Sequence, residues 1–179
     1  MKIKTFLKFL YLKCSLFYFR LTVLRNKPNI AFIDIDNTIA DTSNFLKRNG
    51  NLNSSIDYLN IDVLVGSRNF IKEKFKDTHK LIFLTHRKLS IKKVTRKWLI
   101  KNNFMENNSE LFLVANPLDK IHYFKAALLS GCNISILDDL SYNHENDNII
   151  FYKDVINFIK ENKLNYFDYS FIMHLNSNN

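Results

Sequence analysis

The sequence predicts an α/β fold in three layers, a parallel sheet with helices on both faces, preceded by a basic amphipathic helix within residues 1–27. Short apolar runs without alternation recur at Ile30 to Ile35, Leu81 to Thr85, Leu111 to Ala115, Ile134 to Leu137 and Ile149 to Tyr152. Such runs suit strands buried on both faces. Segments with helical spacing lie between them, and that alternation favours parallel strands joined by crossover helices. At 179 residues the chain fits one domain with a proper core.

The first 25 residues read as one helix with two apolar stripes. Phe6, Leu10, Cys14, Phe17, Leu21 and Leu24 form the first; Leu12, Leu16, Phe19 and Val23 form the second. Lys8, Lys13 and Arg20 interrupt the apolar run, so it lacks the roughly 18 uncharged residues of a spanning helix. No small-residue cleavage site follows, which argues against a signal peptide. Two readings remain: the helix packs on the domain or a partner chain, or it lies on an anionic membrane surface.

Asn26 to Asn29, with Pro28, make a short linker, and residues 28–179 form the expected domain with a short insert at about 43–78. Three helices are expected after the second strand. In the first, Ser90 is the expected N-cap, with Ile91, Val94, Trp98 and Leu99 on the apolar side. In the second, Ile121, Phe124, Leu128 and Leu129 lie on one side and Gly131 ends the helix. Val155, Ile156 and Ile159 do the same for the third.

The formal charge is +9, but seven of the 26 basic residues and none of the 17 acidic ones fall within residues 1–27. The remainder is nearly neutral, which argues against nucleic acid as the main partner. Residues 86–101 hold seven more basic residues and no acid. That run reads as a solvated helix side or a nucleic-acid face. Cys14 and Cys132 have no ligand spacing, which disfavours a disulfide framework or a thiolate metal site.

The chemistry concentrates at the carboxyl ends of the apolar runs, where parallel sheets bind ligands. Asp34 and Asp36 end the first run, Thr85 the second, and Asp138 and Asp139 the fourth. Residues i and i+2 at a strand end point to the same side, so Asp34 and Asp36 share a site. Several acids at one point need a compensating cation, and oxygen-only ligands favour Mg²⁺.

Four pieces in this order, "FIDIDNT", "IFLTHR", Lys120 and "SILDDL", resemble the haloacid dehalogenase superfamily over about residues 30–140. The resemblance implies a Rossmann-like catalytic domain and a phosphatase acting on a phosphorylated substrate. Asp34 would be the nucleophile and Asp36 the general acid and base. Thr85 would bind a phosphate oxygen, and Lys120, preferred to Lys125, would offset charge. Asp34, Asp138 and the backbone carbonyl of Asp36 would hold Mg²⁺, with Asp139 a second ligand or an outer partner. Arg87 would grip substrate phosphate, as in polynucleotide phosphatases of the superfamily, while His86 reads as a loop residue.

Asn37 stands where glycine is frequent, and asparagine also tolerates unusual backbone angles. The insert has no room for a large cap, so the site is expected to be open or to take a lid from another chain. Three functions follow from these residues: a phosphatase of unidentified substrate, a nucleic-acid 3′-phosphatase, and a non-catalytic binding protein anchored by its N-terminal helix. All three place the chain in the cytoplasm, with peripheral membrane association as an option.

Overall fold

The computed structural model describes residues 3–26, 28–52, 54–75, 79–105 and 109–177; residues 1, 2 and 27 of the N-terminal segment and 53 and 76–78 of the insert lie outside them. Helix α1 (Ile3–Thr22) leads to strand β1 (Asn29–Ile33). Three short helices follow, α2 (Thr42–Asn49), α3 (Ser55–Leu59) and α4 (Val65–Lys74), and occupy the insert. Then come β2 (Lys80–Thr85), α5 (Lys92–Lys101), β3 (Ser109–Leu113), α6 (Lys120–Leu129) and β4 (Asn133–Leu137). A small hairpin of β5 (Ser141–Tyr142) and β6 (Ile150–Phe151) precedes α7 (Lys153–Glu161), β7 (Asn165–Phe167) and α8 (Tyr169–Ser177).

The central sheet has five parallel strands in the order β3-β2-β1-β4-β7. The period of two along each strand divides its side chains between two cores. Ile30 and Phe32 of β1 pack with Phe19 of α1, Phe124 of α6 and Val155 and Ile159 of α7. Ala31 and Ile33 pack on the other face with Ile71 of α4, Trp98 and Leu99 of α5 and Ile172 of α8. The result is a Rossmann-like α/β architecture with helices on both faces of a parallel sheet.

The chain builds β2 and β3 on one side of β1, then returns to add β4 and β7 on the other. Strand order therefore reverses between β1 and β4. The crevice at their carboxyl ends is where open sheets of this kind bind ligands.

Several local expectations change. Ile149 to Tyr152 is not a sheet strand: Ile150 and Phe151 form a two-residue antiparallel ladder with β5, and both are exposed. The fifth sheet strand is Asn165–Phe167 instead, paired with β4 through Ser135, Ile136 and Leu137. A 3-10 turn at Leu89–Ile91 precedes α5, so its N-cap is Ile91, without a side-chain cap, rather than Ser90. Leu129 points to solvent, and Tyr123 with Ala126 and Ala127 fills the buried side of α6.

The two stripes separate within α1, which ends at Thr22; Leu24, expected at the end of the first stripe, lies beyond it in a 3-10 turn and is buried with the second. Phe19 and Val23 are buried, with Leu12 and Leu16 packed partly against the same core, while Phe6, Leu10, Phe17 and Leu21 are exposed. The Tyr123 hydroxyl, donating to Ser15 Oγ at 2.7 Å, adds a polar contact to the docked side. Among the described residues, no helix is long and apolar enough to cross a membrane.

Candidate functional site

Beyond β1 the chain turns tightly at residues 35–40. The amides of Ile39 and Ala40 both donate to the Ile35 carbonyl, at 3.0 and 2.9 Å. Asn37 takes a left-handed conformation, φ 57°, within this turn. Its side-chain oxygen accepts from the Ser43 amide at 2.8 Å, so one residue both supplies the unusual backbone angle and caps α2. That turn fixes Asp34 and Asp36 against the sheet edge.

The structure brings Asp34, Lys120 and Asp138 together. Lys120, at the start of α6, donates to Asp34 Oδ1 at 2.8 Å and to Asp138 Oδ2 at 2.6 Å. All three side chains are buried, whereas Lys125 is exposed. Burial and the repulsion of neighbouring carboxylates push the Asp34 carboxyl well above its usual range, with Lys120 opposing them. Burial likewise raises Asp138, again against the pull of Lys120. Flanking carboxylates outweigh burial at Lys120 and hold its ammonium charged.

Asp36 is separately paired. Arg87 donates from Nε to its Oδ2 at 2.9 Å and from Nη2 to its Oδ1 at 2.6 Å. Thr42, the first residue of α2, donates to Oδ1 at 2.7 Å. Burial raises the Asp36 carboxyl, but these charged and hydrogen-bonded partners outweigh it and leave the group below its ordinary value. Arg87 is buried beneath the Tyr58 ring, 5.3 Å from its centroid. It is thus detached from the basic run on α5, whose Lys92, Lys93, Arg96, Lys97 and Lys101 all face solvent.

Asp139 makes a third cluster. Its Oδ1 accepts from Thr38 Oγ1 at 3.1 Å, and its Oδ2 contacts Ser141 and His144 Nε2, the latter at 3.1 Å. The turn that aims the pair is held by the Leu140 amide, which donates to Asp138 Oδ1 at 2.9 Å. Leu140 itself has φ 45°, strained backbone directly after Asp138 and Asp139.

Oxygen atoms of Asp34, Asp138 and Asp139 lie within 4.8 Å of one another, an arrangement that fits a hard divalent cation. Charge points the same way. Asp34, Asp36, Asp138 and Asp139 face two strong bases, Lys120 and Arg87, so the site is acidic by two charges if all are ionised. The Thr85 hydroxyl at the end of β2 is buried and has no hydrogen-bond partner. Burying a hydroxyl this way is costly unless a ligand meets it.

A cavity of about 600 Å³ opens beside Asp36, lined in part by Thr42, Tyr58, His86, Arg87 and Lys8 of α1. Thr38 closes the "FIDIDNT" piece and Thr42, with Asp41, stands where the sequence places the start of a flap over the site, whereas Tyr58, Ser141 and His144 have no such mark in the sequence. "DNTIADT" puts both threonines close behind Asp36, which was a usable signal. His144 and Tyr58 carry none, since loop and insert geometry alone brings them in.

Fold and site together define a Rossmann-like α/β protein with a buried acidic cluster at the topological switch of its sheet. Compared with family models, curated proteins and solved structures, the chain matches none.

Proposed function

We propose that the protein is a Mg²⁺-dependent phosphomonoesterase of the haloacid dehalogenase type, acting through an aspartyl phosphate. The observation that carries this reading is the unpartnered, buried Thr85 hydroxyl at the sheet edge where Lys120 holds Asp34. A transferring phosphoryl group spreads charge over its equatorial oxygens, and positioned donors and cations are what stabilise it.

In the proposed sequence an Asp34 carboxylate oxygen attacks phosphorus. The bond from phosphorus to the ester oxygen breaks, and the leaving oxygen takes a proton from Asp36. Water then attacks the phosphorus of the aspartyl phosphate and passes a proton to Asp36, and inorganic phosphate leaves with Asp34 restored. Thr85 donates to a phosphoryl oxygen throughout, and Lys120 neutralises Asp34 and the group being transferred. Mg²⁺, held by Asp34, Asp138, Asp139 and the Asp36 carbonyl, would offset the charge that accumulates there.

Arg87 has to change partner for this chemistry, because Asp36 ionised by an arginine donates no proton. Incoming phosphate offers the guanidinium an equivalent two-pronged acceptor. Moving Arg87 from Asp36 to substrate frees Asp36 to take up its proton.

Purified protein should release phosphate from an aryl phosphate when Mg²⁺ is added and stop when it is chelated. Asp34→Asn should lower the rate about a thousandfold or more, and undiminished activity in that variant overturns the mechanism. A binding protein without turnover is the competing reading, favoured by the Arg87 and Asp36 contact. Calorimetric binding of phosphate with no hydrolysis of any ester would establish it.

A further inference from the structure

The exposed stripe of α1 is a large apolar surface with a particular charge. Phe6, Leu10, Phe17 and Leu21 recur at helical spacing on the side away from the sheet, and Phe17 is 65% exposed. Lys13 and Arg20 lie on the same exposed surface, Arg25 follows just beyond, and no acidic residue falls anywhere in α1. Apolar side chains bordered by basic ones match an anionic lipid interface, where the rings enter the headgroup boundary and the cations meet lipid phosphate. A second copy of the same helix would bring like charges together.

The other end of α1 reaches the site. Lys8 lines the cavity that contains Asp36 and Arg87. Lys8, His86 and Ala115 also line a neighbouring cavity of about 610 Å³, whose α1 wall includes Phe9, Leu12 and Leu16. Lys8 lies near enough to His86 to help lower its pKa, after the larger effect of burial. The cavity beside Asp36 thus continues, past shared lining residues, into a space whose α1 wall is apolar at Phe9, Leu12 and Leu16 and whose lining also carries Lys13, Asn116, Asp119 and His122. A polar head joined to an apolar tail has the shape and chemistry to fill both.

We propose that α1 seats the protein on an anionic membrane and that its substrate is a lipid phosphomonoester, the phosphate at Asp34 and Arg87 and the proximal tail under Phe9, Leu12 and Leu16. The substrate assignment rests on the phosphatase reading above; the membrane seat does not.

The test uses the full chain and the double variant Phe17→Ser with Leu21→Ser, both exposed and outside the site. Sedimentation with vesicles of phosphatidylcholine, with and without phosphatidylserine, reads binding. Phosphate release from phosphatidic acid in the same anionic vesicles, and from a soluble aryl phosphate, reads turnover. The expected result is binding to the anionic vesicles only, at least about tenfold weaker in the double variant. Lipid phosphate release should fall in parallel, with aryl phosphate release unchanged.

No vesicle binding, or binding that the variant leaves intact, overturns the membrane seat. A wild-type dimer that the variant converts to monomers, without vesicle binding, assigns the stripe to a second copy and overturns it too. Hydrolysis of the aryl phosphate but not of phosphatidic acid overturns the substrate assignment alone. Inactivity on both overturns the phosphatase reading and the substrate with it.

Discussion

Arg87 and Asp36, 51 residues apart in sequence, meet through two side-by-side hydrogen bonds of 2.9 and 2.6 Å. The guanidinium is almost wholly buried, whereas the carboxylate is 31% exposed and faces the cavity. The pair therefore sits as a latch, with its acidic half at the mouth and its basic half in the wall.

Replacing Arg87 separates binding from proton transfer. In Arg87→Ala, Asp36 loses the charge that holds its carboxyl low and keeps the proton it donates to the leaving oxygen up to higher pH, so the alkaline limb of kcat/KM should move to higher pH. The sign for stability is fixed by the same shift. A depressed carboxyl contributes stability above its unfolded value near pH 4 and loses it as pH falls through the folded value. The variant should be less stable at neutral pH by roughly 1–3 kcal/mol, and that deficit should shrink in acid. Melting curves between pH 3 and about 7 check it, and KM for an aryl phosphate should rise about tenfold as the phosphate loses its bidentate partner.

Lys120 is the sole cation between Asp34 and Asp138 among the described residues, at 2.8 and 2.6 Å. Lys120→Met removes it and leaves two buried carboxylates facing each other. Breaking a buried pair from one side typically costs about 3–5 kcal/mol, and that loss is expected in chelator. Added Mg²⁺ should recover much of it, because a cation between the same oxygens supplies the missing charge. Denaturant melts with and without Mg²⁺ decide, and a variant as stable as wild type in chelator would rule out this electrostatic account.

Thr85 allows function and stability to be pulled apart. Its hydroxyl is buried and unpartnered, so Thr85→Val removes a desolvated polar group while keeping the branched shape. Stability should stay level or rise by about 1 kcal/mol. Turnover of an aryl phosphate should nonetheless fall about a hundredfold, the usual cost of losing one positioned donor. A variant both less stable and fully active would mean that the hydroxyl serves the fold through water.

These contrasts bear on what the sequence could reveal. β1, β2 and β4 are apolar runs that end abruptly on polar residues, so Asp34, Asp36, Thr85 and Asp138 could be placed at one sheet edge from spacing alone. β7 leaves little trace in the sequence because it has three residues, Asn165–Phe167, pairs on one side only and needs little apolar length. Ile149 to Tyr152 misled for the opposite reason, an apolar run whose centre lies exposed in a hairpin. The two stripes of α1 were legible as stripes, but only the position of Phe112 and Tyr123 decides which one docks. The Arg87 and Asp36 latch was invisible for a similar reason, since a contact across 51 residues depends on where the β2 loop carries its side chain.

The docked stripe makes α1 part of the fold as well as a surface. Phe19 is completely buried and meets Phe112 at 5.4 Å and Tyr123 at 5.3 Å between ring centroids, both in edge-on geometry. Phe19→Ala should cost about 3–5 kcal/mol, the range for an aromatic side chain lost from a packed core. Phe17→Ala, two positions away but 65% exposed, should stay within about 0.5 kcal/mol of wild type. Removing residues 1–25 should then expose Phe32, Phe112 and Tyr123 together and yield an aggregating protein. Chemical denaturation of the two point variants separates the roles of the two faces: equal losses would mean that the exposed stripe is also packed, and equal tolerance would mean that α1 adds nothing to the core.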